Sequence, residues 1–309
     1  MTNEKVAIIG SGLMGHGIAQ IFAAAGHPTV VIDPNEASLA TVAERVAANL
    51  EAMVAHGVTL ERPIGEIAAS IELATEMSAA ADCGFVIEAV FENMDLKQAI
   101  FAELDTTCPP ETILCSNTSV MSITEIASKA THQARIVGTH FWNPPFLIPL
   151  VEVVKGDHSS SAAVDQTYEL LASVGKHPVK VQKDVPGFVA NRLQHALWRE
   201  AFAIIDEGIA DAATVDECVR FGPGLRWPIL GPVENADLVG LDLTKAIHDY
   251  ILPHLNADPT PSITLNRLVE AGELGFKSGS GFQAWTSETM AATRQRLTHY
   301  LLRQQAKEN

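Results

Sequence analysis

Lysine is missing from a long part of this chain. None lies between Lys5 and Lys97, and residues 36–76 hold only Arg45 and Arg62 against seven glutamates, so this surface is a poor place to bind a polyphosphate. Cations are scarce throughout: 21 Lys and Arg stand against 37 Asp and Glu, and the formal net charge of −16 argues against nucleic acid or an anionic membrane as a partner. A small anionic substrate stays open, because one local basic group can override the global field. The four cysteines, Cys83, Cys108, Cys115 and Cys218, form no CxxC pair and no zinc spacing, so no metal site is expected and a cytoplasmic, reducing location is the simplest. No apolar run approaches the roughly 18–20 residues that span a bilayer. The first apolar segment, KVAIIG, runs into a glycine loop and leaves no room for a cleaved signal peptide, so none is expected.

At 309 residues the chain is long for one hydrophobic core, and two domains are expected. Residues 5–33 read as strand, glycine loop, helix and strand. Gly10, Gly12 and Gly15 stand in the G-x-G-x-x-G spacing, with Leu13 and Met14 between the last two. Gly10 suits the tight turn, Gly12 the close approach of a pyrophosphate, and Gly15 the packing of helix on strand, while the helix N-terminus faces the phosphates. Asp33, eighteen positions after Gly15, can accept from the ribose hydroxyls and would repel a 2′-phosphate. Pro34 and Asn35 follow it, so the arginine expected for NADP is absent and the cofactor should be NAD.

Further along, residues 37–57 read as helix, 70–73 as a short strand, 83–90 as a buried strand, and 91–105 as a helix carrying Glu92 and Lys97. Residues 112–127 read as a strand ending in Asn117, Thr118 and Ser119 before another helix; Ser119 either faces the ligand crevice or caps that helix. Then RIVGTHFW and PLVEVV flank a proline-containing turn and read as two strands joined by a tight connection. His140 and Glu152 are equidistant from Phe146, so pairing about that midpoint sets them opposite each other, as a general base and its orienting carboxylate require. A structural histidine beside a solvated glutamate is the alternative. Pro186 suits the first turn of a long helix, with Asn191 in its second turn. Strand patterns end there, which places a boundary near residue 185: an NAD-binding domain over 1–185 and a helical domain over 186–309.

The motifs GSGLMG, VIEAVFENMDLK, SNTS, GTHFWNPP with LVEVV, VPGFVANR and GFKSGSGF together resemble the L-3-hydroxyacyl-CoA dehydrogenase family over nearly the whole chain. The resemblance implies an α/β fold: a Rossmann-type doubly wound sheet domain followed by an all-α domain for substrate binding and dimerisation, hence a homodimer. It implies His140 as base, Glu152 as its partner, Ser119 and Asn191 on the substrate oxygen, and Glu92, Lys97, Asn143 and Lys277 around NAD. Lysine-rich helices hold CoA phosphates in the CoA-using members, and the equivalent helix here has none. NPPFLIPLVE and GLRWPILGP look more like the CoA-independent branch, which acts on free hydroxy acids such as L-gulonate, carnitine and pyridine carboxylates. Arg226 would then grasp a substrate carboxylate, or else stack on Trp227 or cap a helix. A short-chain 3-hydroxyacyl-CoA substrate is the alternative, and a catalytically idle NAD-binding protein is the reading outside the enzymes. In the 3-hydroxyisobutyrate dehydrogenase group, a different relative of the glycine loop, a catalytic lysine falls where this chain has Asn191 and Arg192.

Overall fold

The structure is a computed structural model that describes residues 4–308, with side chains to residue 305. It forms two compact units, one running to Arg192 and resuming at Leu297, the other spanning Leu193–Arg296.

The first unit is built on eight strands: β1 (Val6–Ile9), β2 (Thr29–Ile32), β3 (Ile71–Ala74), β4 (Phe85–Glu88), β5 (Ile113–Ser116), β6 (Ile136–Phe141), β7 (Leu150–Val154) and β8 (His177–Val181). They lie in the order β3-β2-β1-β4-β5-β6-β7-β8. The first six are parallel, β7 runs against β6, and β8 is parallel to β7. The switch point between β1 and β4 is where an open α/β sheet parts to form a ligand crevice at its carboxyl edge. Its helices are α1 (Leu13–Ala24), α2 (Glu36–Leu39), α3 (Val42–Ala55), α4 (Ile64–Ala69), α5 (Met94–Thr107), α6 (Ile123–Ile126) and α7 (Ser161–Ser173). The single helix expected over 37–57 is thus two, broken at Ala40–Thr41.

The central strands β1 and β2 are buried on both faces and read as almost unbroken apolar runs, and their alternate residues feed two cores. Val6, Ile8 and Val31 face one side with Phe22 of α1, Val42, Val46, Leu50 and Met53 of α3, and Leu171 of α7. Ala7, Ile9, Val30 and Ile32 face the other, with Phe101 and Leu104 of α5 and Ile126 of α6. Each large side chain so buried contributes about 1.5–3 kcal/mol. Leu302 belongs to the first core and is 1% exposed, which is why the chain from Leu297 counts with this unit and not with the helical one.

The second unit is helical, with most of α8 (Ala190–Asp206), then α9 (Ala212–Phe221), α10 (Pro232–Val239), α11 (Leu241–Ile251), α12 (Ile263–Glu270) and the start of α13 (Ser287–Glu308). Asp211 caps α9 through the Thr214 N–H, and the Asp206 carboxylate accepts from the N–H groups of Ile263 and Thr264 at the start of α12. Only Ala203 and Leu268 of this unit are buried. The contacts divide the units between Arg192 and Leu193, a few residues past the boundary expected near residue 185. The difference arises because backbone N–H groups at 189 and 190 donate to a carboxylate of the sheet. Among the described residues, no helix is long and apolar enough to cross a membrane.

Candidate functional site

The carboxyl edge of β1 leads into the glycine loop. Gly10 has φ +101°, and a Cβ there would lie 2.8 Å from Ala89 O; a Cβ on Gly15 would lie 1.8 Å from Gly10 O. These two positions admit only glycine. A Cβ on Gly12 meets nothing within 4 Å, so the space above it at the N-terminus of α1 is open to a ligand. Leu13 is exposed and Met14 packs partly on the core. At the end of β2, Asp33 accepts from Ser11 N at 2.8 Å and Ser11 Oγ at 2.7 Å on Oδ2, and from Asn35 N at 2.9 Å on Oδ1. Burial pushes this carboxyl up, but those hydrogen bonds and the Arg45 charge outweigh it and hold it below the usual carboxylate range. An open space over Gly12, the α1 N-terminus and an ionised Asp33 together fit the pyrophosphate and ribose of a dinucleotide.

The ends of β4 and β5 carry a buried ionic network. Lys97 is 1% exposed, and its Nζ lies 2.6 Å from Glu88 Oε1 and 3.6 Å from Glu92 Oε2. Glu88 also accepts from Ser116 Oγ and Val90 N. Glu92 accepts from Thr118 Oγ1 and, at 2.6 Å, from Ser119 N. Lys97 and Glu92, expected around the cofactor, therefore brace the loop that presents Ser119. Glu88, a carboxylate closing an otherwise apolar strand, was missing from that expectation; its signal is the lysine nine positions on. Ser122, and not Ser119, caps α6, since its hydroxyl accepts from Glu125 N.

On β6 and β7, His140 pairs directly with Glu152, and Nδ1 lies 2.8 Å from Oε2. Both are buried, at 4% and 1% exposure. The connection between these strands spans residues 142–149, longer than the tight turn expected, and includes a cis Asn143–Pro144 peptide. The other Glu152 oxygen accepts from Val189 N at 2.9 Å and Ala190 N at 3.0 Å. Helix α8 thus begins at Ala190, and Pro186 lies in a preceding turn, where Gly187 and Phe188 have φ of +76° and +49°. A left-handed phenylalanine is costly, and it is held by burial at 1% exposure, its ring 5.8 Å from that of His140. Burial raises the Glu152 carboxyl, but the hydrogen bonds from His140, Ala190 and Val189 and the His140 charge overcome it and hold it low.

Asn191 lies in the first turn of α8, one position past Ala190, and its Nδ2 donates to Ser119 O at 2.9 Å. Asn117 Oδ1 accepts from Phe141 N, tying the end of β5 to β6. His140, Glu152, Asn191, Ser119 and Glu92 are thereby linked in one run of contacts within the first unit. Among the described residues, His140 Nε2 and Ser119 Oγ make no hydrogen bond, so that nitrogen and that hydroxyl are both available. Such a set can take a proton from a hydroxyl and hold the oxygen left behind. Asn143 is exposed at the start of the connection. Arg226 and Lys277 are exposed residues of the second unit. Neither the stacking of Arg226 on Trp227 nor any hydrogen bond of its guanidinium is present among the described residues.

Two family models match the chain: the 3-hydroxyacyl-CoA dehydrogenase NAD binding domain over residues 5–185 and the 3-hydroxyacyl-CoA dehydrogenase C-terminal domain over 187–285. The chain is 35% identical over 290 residues to 3-hydroxyadipyl-CoA dehydrogenase of Escherichia coli; this covers 93% of the chain but 60% of that longer protein. It is 33% identical over 291 residues to 5-formyl-3-hydroxy-2-methylpyridine 4-carboxylate 5-dehydrogenase of Mesorhizobium japonicum, covering 94% and 93% of the two chains. A crystal structure of a 5-formyl-3-hydroxy-2-methylpyridine 4-carboxylic acid 5-dehydrogenase, described as an NAD+-dependent dismutase, superposes with a TM-score of 0.90 at 31% identity, covering 97% and 96% of the two chains.

Proposed function

This chain belongs to the 3-hydroxyacyl-CoA dehydrogenase family of NAD-dependent oxidoreductases, and we propose that it oxidises a secondary hydroxyl of a free hydroxycarboxylic acid to a ketone, reversibly. NAD, when bound, supplies the hydride acceptor, and Gly10, Gly12, Leu13, Met14, Gly15, Asp33, Glu92, Lys97, Asn143 and Lys277 are the residues proposed to form its site. His140 Nε2 accepts the hydroxyl proton. Glu152 keeps the Nδ1 proton in place and stabilises the imidazolium that results. Ser119 Oγ and the second Asn191 amide proton donate to the substrate oxygen as it becomes a carbonyl. In the reverse direction the same donors polarise the ketone and His140 returns the proton.

The observation that carries the free-acid reading is the direction of Arg45. It is the one cation on α2 and α3, and its guanidinium is turned into the glycine loop, leaving Glu36, Glu44 and Glu51 outside. A CoA 3′-phosphate would find no free cation on these helices. Arg226, whose guanidinium makes no hydrogen bond among the described residues, is proposed to take the substrate carboxylate. The second reading, a short 3-hydroxyacyl-CoA, is favoured by relatives such as the E. coli 3-hydroxyadipyl-CoA enzyme. NADH formation with a panel of free hydroxy acids, set against NADH consumption with acetoacetyl-CoA, tests the choice. Faster turnover of the thioester overturns the free-acid reading.

The same proposal includes a homodimer. Helices α9, α10 and α11 bury no residue, and Phe221, Leu238 and Tyr250 are 68%, 71% and 79% exposed. An apolar surface of this kind is best covered by a second copy. Sedimentation should give about twice the 33.1 kDa of one chain. A cytoplasmic location is proposed on the three buried free thiols and one exposed one.

A further inference from the structure

Arg45 reaches the glycine loop from α3. Its Nη2 donates to Ser11 O at 2.7 Å and Ser38 O at 3.3 Å. Nη1 donates to Gly12 O at 3.3 Å and lies 3.0 Å from His16 Nδ1, and Nε donates to Thr41 Oγ1 at 3.0 Å and Thr41 O at 3.3 Å. All three nitrogens are engaged, so the side chain is fixed in one orientation beneath the loop. A guanidinium keeps its charge at any working pH, which makes this a permanent cation beneath the loop.

The two loop carbonyls it holds matter most. In a trans peptide the C=O and the following N–H point in opposite directions, so drawing Ser11 O toward Arg45, and Gly12 O toward Arg45 and His16, whose Nδ1 lies 2.8 Å from it, turns the N–H groups of Gly12 and Leu13 the other way. Those N–H groups belong to the N-terminus of α1, where a Cβ on Gly12 would meet nothing within 4 Å. We infer that Arg45 is a positioning residue for the dinucleotide: it aims two loop N–H groups at the pyrophosphate and lends that anion a positive charge through the peptides. On a face without lysine, this is how the chain offers its cofactor a favourable field. The inference rests on NAD binding alone, so a substrate other than a free acid leaves it standing.

The test compares ligands that share adenosine but differ in phosphate. Dissociation constants of NADH, ADP and adenosine are measured calorimetrically for the whole protein, for Arg45→Met and for Arg45→Lys, with thermal unfolding to confirm the fold. Arg45→Met should weaken NADH and ADP by roughly tenfold and adenosine by less than about twofold. Its ADP affinity should also depend less steeply on salt than that of the parent. The KM for NAD should rise while kcat at saturating NAD stays within about twofold, because the groups that touch the reacting atoms are unchanged. Arg45→Lys retains charge but loses the fork, and should fall between the two; it carries the same ADP-against-adenosine comparison if Arg45→Met fails to fold. Equal weakening of adenosine and ADP would reduce Arg45 to a brace, and unchanged NADH affinity in a folded variant would overturn the inference.

Discussion

Glu152 Oε2 and His140 Nδ1 lie 2.8 Å apart on residues paired directly across antiparallel strands, while Glu152 Oε1 holds the first N–H groups of α8. One carboxylate therefore fixes both the imidazole and the helix that carries Asn191. Replacing His140 with Ala should lower kcat by roughly 10²–10⁴-fold with NADH affinity intact. Glu152→Gln should cost about 10²-fold in kcat, because the neutral amide no longer stabilises the imidazolium. Steady-state kinetics beside NADH titration checks both; normal turnover in His140→Ala removes the base from the scheme.

The same carboxyl links stability to acid. Its folded value is held below that of the unfolded chain, about 4.3 for glutamate, so the unfolded state binds more protons in between. The stabilisation is complete above that value and is lost as pH falls through the lower, folded one. Urea midpoints measured down through this range should drop more for the parent than for Glu152→Gln.

Gly12 and Gly15 separate cofactor binding from folding. Gly12→Ala adds a methyl group to open space, so thermal stability should hold while NADH binding weakens by at least about tenfold. Gly15→Ala drives a methyl group into Gly10 O, and soluble yield or melting temperature should fall sharply.

Lys97 and Glu88 form an ion pair with side chains 1% and 0% exposed. Removing the cation leaves a buried carboxylate short of a partner, so Lys97→Met should cost about 3–5 kcal/mol in chemical denaturation. Adding Glu88→Gln should recover a large part of that loss. Simple additivity of the two changes would show that the pair is not coupled.

Lys176 offers an alkaline counterpart. Burial brings its ammonium down to about 8, and its Nζ donates to the carbonyls of Pro145 and Ile148, with no carboxylate beside it among the described residues. The unfolded chain holds this proton to about 10.4, so from about 8 upward the unfolded state binds more protons and folding gains stability as pH rises. Denaturant midpoints of the parent should rise relative to Lys176→Met across that interval; parallel curves would dismiss the effect.

How much of this was legible before folding depended on range. The His140/Glu152 pairing was readable because two β-branched runs lie symmetrically about Phe146, and strand pairing converts that symmetry into contact. The glycine loop and Asp33 were readable because their spacing encodes a local βαβ unit. Arg45 was legible only as a charge on a helix, since its contacts with Ser11 and Gly12 cross more than thirty positions. The start of α8 was misplaced because Phe188 adopts a left-handed conformation that sequence rules assign to glycine. Its cause is tertiary: the Glu152 oxygen that accepts from residues 189 and 190.

The stretch from Trp142 to Pro149 acts as a ruler. Side chains alternate along a strand, so a single residue inserted or deleted there, if it slid β7 by one step against β6, would send Glu152 to the far side of the sheet and bring Val151 or Val153 up to the imidazole. The proposed proton acceptor is in this sense set by a count of peptide units, and lineages that retain the chemistry should change the letters of that segment far more freely than its length.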